Sequence, residues 1–408
     1  MADLTQVCAV RAQTWLNQAV WPFWAAHGVD PRGGFYERLG FDGAPVAPEQ
    51  PSRVRVQARQ TYVFCEAVLA GWEADRAQAL VARGVEVLLK RCRRPDGLFG
   101  RMVNTGAGLT DATAELYDNA FGLFALGWAA KALNAPDLVA QAEAIWARLD
   151  ARLAHPAGGY AEAEPARWPR RQNPHMHLFE AALALYDASG EAHFADRAQT
   201  LRTLVERRCL DPMTGRLLEA FEEDWTPVRA GADLRIEPGH EFDWVWLNRM
   251  SERLTGRGSP RLEALYPLAC EALDGQGFTP QAIDPTGGRL DDTRRTWQQT
   301  EALKAHWVAA AAGDKAARGR ALALFDALFD TYFAAPIPGG WIDHFDANGR
   351  ALSDTMTAAT GYHAVAAMVE TLRTAAMAGA AGAGADKGPH TSLDTVAATP
   401  TVSAGVGG

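Results

Sequence analysis

GGFYERLG, residues 33–40 of a 408-residue chain, is one of six short glycine-led stretches on which the fold turns. The others are GLFGRMV from Gly97, GGYAEAE from Gly158, GRLLEAFEE from Gly215, GFTPQAID from Gly277 and GGWIDHFD from Gly339, so the stretch returns about every 60 residues. A fixed period of that length marks an internal repeat. Each stretch is flanked by segments of roughly 15–20 residues with apolar residues at i, i+3, i+4 and i+7, the pattern of an amphipathic helix. VFCEAVLAGW after Tyr62, FGLFALGWAAKAL after Ala120 and ALALFDALFDTYF from Ala321 are clear cases.

Six units of helix, connector and helix give twelve helices. One hairpin cannot bury its apolar face alone, so the six close into a ring with even-numbered helices inside and odd-numbered helices packed around them. The expected fold is therefore all-α, an (α/α)6 barrel with short β-like connectors. The inner helices are expected at about residues 52–72, 111–133, 174–189, 238–256, 293–312 and 360–376. An open superhelical array would need polar capping repeats, and the sequence shows none. One barrel domain over residues 1–375 follows, with 376–408 as a disordered tail, because from about Thr374 the chain turns to Gly, Ala and Thr with few large apolar residues. Deleting residues 380–408 should leave melting temperature and turnover nearly unchanged; a large fall in melting temperature would show that the tail docks.

A net charge of −9 argues against a nucleic-acid partner, which needs a basic face. The five cysteines, Cys8, Cys65, Cys92, Cys209 and Cys270, are odd in number, widely spaced and without a CxxC, so neither a disulfide framework nor a zinc knuckle is indicated. Charges are scattered through the first twenty residues, and no apolar run reaches transmembrane length. A soluble, cytoplasmic protein acting on a small molecule, as a monomer or homodimer and without a membrane, fits these features.

Inner helices should be mostly apolar, yet their first turns carry RVRVQARQ from Arg53, ELYDNAF from Glu115, NPHMHLFE from Asn173, EPGHEFDW from Glu237, WQQTEALK from Trp297 and TGYHAV from Thr360. In a ring these six N-termini point the same way, so the polar residues converge on one mouth. Asn173 suits an N-cap and Pro174 a first helical position. His175 and His177 lie about 200° apart on a helix and cannot chelate one ion together. Asn173, His177 and Glu180 share a face, which is read as cavity wall, while His175 is read as a packing or surface residue. His240 and Asp243, at i and i+3, allow the carboxylate to orient the imidazole of a general acid or base. Thr360 is a plausible N-cap for the helix of His363. A histidine so near a helix N-terminus is kept neutral by the dipole and can act as a base near pH 7. Arg55 and Arg59 form an i, i+4 pair. Tyr117, Trp297, Gln299 and Glu301 offer the aromatic surface and hydrogen-bonding groups that sugar hydroxyls need. No residue set looks like a metal site. An inverting glycosidase on the same barrel would use two separated carboxylates, and a non-catalytic sugar-binding protein would have no need of His240 and His363; the richness in histidine favours neither.

RVRVQARQ, LYDNAF, RRQNPHMHLFEA, EPGHEFDW, WQQTEALK and LSDTMTAATGYH together resemble the N-acylglucosamine 2-epimerase superfamily of (α/α)6-barrel sugar epimerases and isomerases, over about Trp15 to Leu372. Within it, the Asn-x-x-x-His of Asn173 and His177 looks like the aldose–ketose isomerase and cellobiose epimerase branches, closest to the D-mannose isomerases. The resemblance implies proton transfer through an enediolate with no cofactor. His363 would move the C2 proton, and His240, in the PGH motif, would assist ring opening or act as a second acid or base. Arg59 would stabilise the enediolate oxygen, and His177, Asn173, Tyr117, Trp297 and Glu301 would hold the sugar. Two departures are visible: Asp243 stands where the family usually has Glu, and Gln298 where it has Pro.

Overall fold

The structure, a computed structural model, describes residues 4–228, 231 and 234–382. It opens with α1 (Leu4–Trp15), a π turn and α2 (Trp21–His27), followed by α3 (Val54–Leu69) and α4 (Ala74–Arg91). Next come α5 (Leu116–Ala132), α6 (Asp137–Arg152), α7 (Gln172–Ser189) and α8 (Ala192–Arg208). The chain continues through α9 (Pro238–Thr255), the short α10 (Pro260–Glu263) and α11 (Leu265–Glu271), α12 (Thr296–Ala311), α13 (Lys315–Ala327) and α14 (Thr360–Gly382).

Helices α3, α5, α7, α9, α12 and α14 each pack on the next, and α14 packs back on α3 and on α1, which closes the ring. Composition explains which helices lie inside. The outer helix α4 buries one stripe, Ala77, Leu80, Val81, Gly84, Val85, Val87 and Leu88, whereas α5 is buried on all sides through Phe121, Gly122, Leu123, Phe124 and their neighbours. A helix apolar all round has no face for water and belongs in the interior. At the seam Trp24 stacks on Trp341 with ring centroids 4.6 Å apart, and Arg38–Gly40 pairs antiparallel with Thr355–Thr357. The expected (α/α)6 barrel is the observed fold.

The connectors form small antiparallel ladders at the mouth. Ser52–Arg53, Ala114–Glu115, Arg170–Arg171 and Arg294–Arg295 each pair with a neighbouring connector immediately before an inner helix. The helix starts expected at 52, 111 and 293 are corrected accordingly, because those residues satisfy their backbone groups across the ladder. Asn173 is not an N-cap either; extended Arg171 holds that place, and Thr360 is already helical. At the other end, α14 runs on to Gly382 through residues expected in the tail, as an alanine-rich stretch favours. Residues 383–408, the rest of the expected tail, lie outside the described residues. Among the described residues no helix is long and apolar enough to cross a membrane.

One clamp recurs around the ring. The fourth residue of five inner helices hydrogen-bonds the connector backbone just after its glycine. Gln57 accepts from Phe35 N at 2.8 Å and donates to Phe35 O at 2.7 Å. Asn119 does the same to Phe99 and Gln299 to Thr279. His175 Nε2 accepts from Tyr160 N at 3.0 Å, and Glu241 accepts from Leu217 N at 3.2 Å. His175 is thus a fully buried clamp, not a surface residue. Gly34 shows why glycine leads the connector: its φ is +65°, and a Cβ there would meet Gln57 Oε1 at 2.2 Å. Gly34→Ala should cost about 1–3 kcal/mol through backbone strain and a displaced clamp. A thermal midpoint unchanged from wild type would show the clamp to be dispensable.

Candidate active site

The inner N-termini surround a cavity of about 240 Å³ lined by Arg59, Tyr117, Asn173, His177, Glu237, His240, Asp243, Trp297 and His363. Eight of the ten residues expected at the site line it; Glu180 and Glu301 do not. The helix register sets the layers. Tyr117, Asn173 and Trp297 are the second residues of α5, α7 and α12, nearest the mouth. Arg59, His177 and Asp243 are the sixth residues of α3, α7 and α9, one turn deeper. His240, the third residue of α9, is therefore not at the repeat position of His177.

Each cavity histidine is held from behind by a carboxylate. His363 Nδ1 lies 2.7 Å from Glu301 Oε1, and His177 Nδ1 lies 3.0 Å from Glu180 Oε2. Glu180 Oε1 also accepts from the Tyr362 hydroxyl at 2.5 Å. Glu301 and Glu180, expected to touch the sugar, are corrected to supports buried behind these rings. Asp243 is corrected too, because His240 Nδ1 is taken by Glu219 Oε1 at 2.9 Å. A helical side chain leans toward its own N-terminus, which carries the His240 ring to the connector and away from Asp243. Asp243 instead lies 3.6 Å from the ammonium of Lys304, beside Glu301.

Glu219, Glu237, Lys304 and Tyr362 were not singled out by the sequence. A signal for Glu219 exists: it stands four residues after its connector glycine, as Glu37, Glu162 and Asp343 do after theirs. Each of those three binds an arginine at the foot of an inner helix, Arg53, Arg171 and Arg295 respectively. Only at Glu219 is the partner a histidine. Its second oxygen accepts from Gln172 at 2.9 Å, which locks the carboxylate in place.

The two histidines beside Trp297 are driven in opposite directions. Their ring centroids lie 4.9 Å (His240) and 5.8 Å (His363) from that of Trp297. Burial pushes His363 well below its ordinary value, and the charges of Arg59 and Lys304 push the same way. The helix-terminus reading had the direction right, but burial is the main cause. Burial also opposes charge on His240, but the Glu219 carboxylate outweighs it and raises His240 to about 9. At neutral pH the two imidazoles beside Trp297 are therefore one neutral and one protonated, a base and an acid. The other ring nitrogen of His240, Nε2, lies 3.0 Å from the Asn173 amide. Arg59 is 6% exposed, sits 4.2 Å over the Phe121 ring and donates to the Tyr117 hydroxyl at 2.9 Å. Among the described residues, the cluster with spacing for an ion is Glu143, Glu191 and His193, on the outer side and not part of the cavity.

The model of the N-acylglucosamine 2-epimerase family matches residues 34–367. A mannose-6-phosphate isomerase of Rhizobium meliloti is 34% identical over 372 residues, covering 87% of this chain and 94% of that protein. A D-mannose isomerase of Thermobifida fusca is 29% identical over 350 residues, covering 79% and 84%. The crystal structure of a D-mannose isomerase superposes with a TM-score of 0.83 at 21% identity, over 92% of this chain and 99% of that one, a likeness of fold. With the barrel, the mouth and the histidine pair in place, this chain belongs to the N-acylglucosamine 2-epimerase family of sugar epimerases and isomerases.

Proposed function

We propose that the protein is a cofactor-independent aldose–ketose isomerase that interconverts D-mannose and D-fructose, or a close sugar, through an enediolate. The observation that carries this reading is the pair of histidines flanking Trp297, one neutral and one protonated. In this mechanism His240 gives its proton to the ring oxygen as the bond from C1 to that oxygen breaks, and takes one back from the C1 hydroxyl as it becomes the aldehyde. His363, with Nδ1 engaged by Glu301, removes the C2 proton through Nε2 and returns it to C1, while the O2 proton passes to O1 and C2 becomes the ketone. Arg59 stabilises the negative oxygen of the enediolate, which the positive ends of six helices also favour. Tyr117, Asn173, His177 and Trp297 hold the hydroxyls and the ring face.

Two features favour a free monosaccharide over a phosphorylated one. The cavity is smaller than the ~300–1,000 Å³ of pockets for drug-sized ligands. The arginines at the feet of the inner helices already face carboxylates: Arg53 with Glu37, Arg55 with Glu115 and Asp118, Arg171 with Glu162, Arg235 with Glu237 and Arg295 with Asp343. A phosphate dianion drawn to one of these arginines would have to displace its carboxylate. The deciding experiment is incubation with D-mannose in deuterium oxide, with products read by NMR. Fructose labelled at C1 supports the isomerase; glucose labelled at C2 would make the protein a 2-epimerase, of mannose, cellobiose or N-acylglucosamine type; turnover of mannose 6-phosphate alone would overturn the free-sugar reading. EDTA should leave the rate unchanged, since the mechanism moves its protons through histidines and, among the described residues, the cluster with spacing for an ion lies outside the cavity. Loss restored by zinc or manganese would contradict this.

A further inference from the structure

Lys304 is a buried charge that the mechanism above leaves unused. It lies on α12, is 0% exposed and carries an ammonium about one turn below the cavity. Charges of that kind are almost never fully buried unless paired. Its Nζ rests against Glu301 Oε2, one turn back on the same helix, and lies 3.6 Å from Asp243 Oδ1 on α9. It also sits 3.5 Å over the centroid of the Trp246 ring, which holds it from the other side. Glu301 is thus gripped at both oxygens, Oε2 by Lys304 and Oε1 by His363 Nδ1.

An imidazole and a carboxyl can share one hydrogen bond in two ways. If Glu301 is ionised, His363 carries its proton on Nδ1 and donates it to Oε1, so the Nε2 lone pair is free to take a proton from the sugar. If Glu301 is protonated, it donates to Nδ1 and the proton of a neutral His363 sits on Nε2, where the ring can no longer act as a base. Which arrangement holds depends on what stabilises the carboxylate in this buried site. Burial disfavours the charge on Glu301 and Glu180 adds negative charge nearby; Lys304, the cation in contact with it, favours the carboxylate most, with a lesser contribution from a hydrogen bond with Asp243.

We infer that Lys304 is a positioning residue: its ammonium keeps Glu301 as the acceptor of the His363 Nδ1 proton and so leaves the Nε2 lone pair of His363 facing the substrate. This rests on His363 being the base, and the test separates the two claims. Other charged or titratable groups facing the cluster are Asp243 from α9, Glu180 and His177 from α7, Tyr362 from α14, Arg59 from α3 and His240 beyond Trp297.

The experiment uses the full chain with ¹⁵N-labelled histidine. Long-range ¹H–¹⁵N spectra read the tautomer of His363, whose signals are assigned by their loss in His363→Asn. Wild type should show the Nδ1–H tautomer at pH 7. Lys304→Met, of similar length and uncharged, should show the Nε2–H tautomer. Its kcat should fall on the order of 10²-fold with KM little changed, the loss expected when a positioned base is disabled. Raising the pH toward, but not through, the loss of the His240 proton near 9 should deprotonate Glu301 in Lys304→Met and bring back both the Nδ1–H tautomer and the rate, a recovery that a merely structural role for Lys304 would not produce. A folded Lys304→Met that keeps the Nδ1–H tautomer, or turns over at the wild-type rate, overturns the inference. If that variant does not fold, the wild-type spectrum still decides, because an Nε2–H tautomer there refutes it. An active His363→Ala would sink the base assignment alone, since the tautomer of His363 is read without turnover.

Discussion

His363→Ala should abolish ketose formation and, with it, the exchange of the C2 proton of D-mannose with solvent. Both processes begin with the same proton abstraction, and a single positioned acid or base contributes on the order of 10²- to 10⁴-fold. Neither of the other two cavity histidines takes over the role. His240 is protonated at neutral pH and cannot serve as a base. His177 faces the cavity from α7 against Tyr117 and Phe121, away from the Trp297 wall. Burial keeps His363 neutral far below pH 7, so its own titration should not limit the rate on the acid side of neutrality. The measurement is NMR in deuterium oxide on protein whose fold is verified by circular dichroism. A folded variant with wild-type turnover would return His363 to a structural role.

The second large effect is expected from Glu219→Gln, at a residue that never meets the sugar. The Glu219 carboxylate raises His240 to about 9 against the pull of burial. Activity that needs the protonated ring should therefore persist through neutral pH and be lost as pH rises through about 9. With the charge removed, only the smaller pull of Glu237 and Asp243 opposes burial, and this alkaline limb should move to lower pH by more than one unit. At pH 8, turnover of the cyclic sugar should then drop on the order of tenfold, while C2 exchange in the small open-chain fraction continues because His363 is untouched. In an epimerase the same variant would keep C2 exchange in the substrate and block the epimer. An alkaline limb that does not move would show that Glu219 does not control His240.

Much of this is legible in the sequence. Six glycine-led connectors at one period define six hairpins, and hairpins with apolar faces close on one another. The same period places the polar first turns of the inner helices at one mouth, so eight cavity residues could be named from motif and register. Local spacing also put Asn173 and His177 on one face and His175 on the other. Helix boundaries were less legible: residues such as Ser52 and Arg53 are extended because a strand from the next repeat pairs with them.

The chain's local periodicity, glycine placement and side-chain types determined the barrel, its polar mouth and the histidines within it, because each of those depends on neighbours within a few turns of helix. Tertiary structure alone decided which carboxylate holds which imidazole. Asp243 is three residues from His240, yet the partner is Glu219, 21 positions away; Glu301 reaches His363 across 62 positions and Glu180 reaches Tyr362 across 182. These pairings, with Lys304 beneath them, form only when six helices meet, and the buried interior they create is what moves one histidine down and the other up.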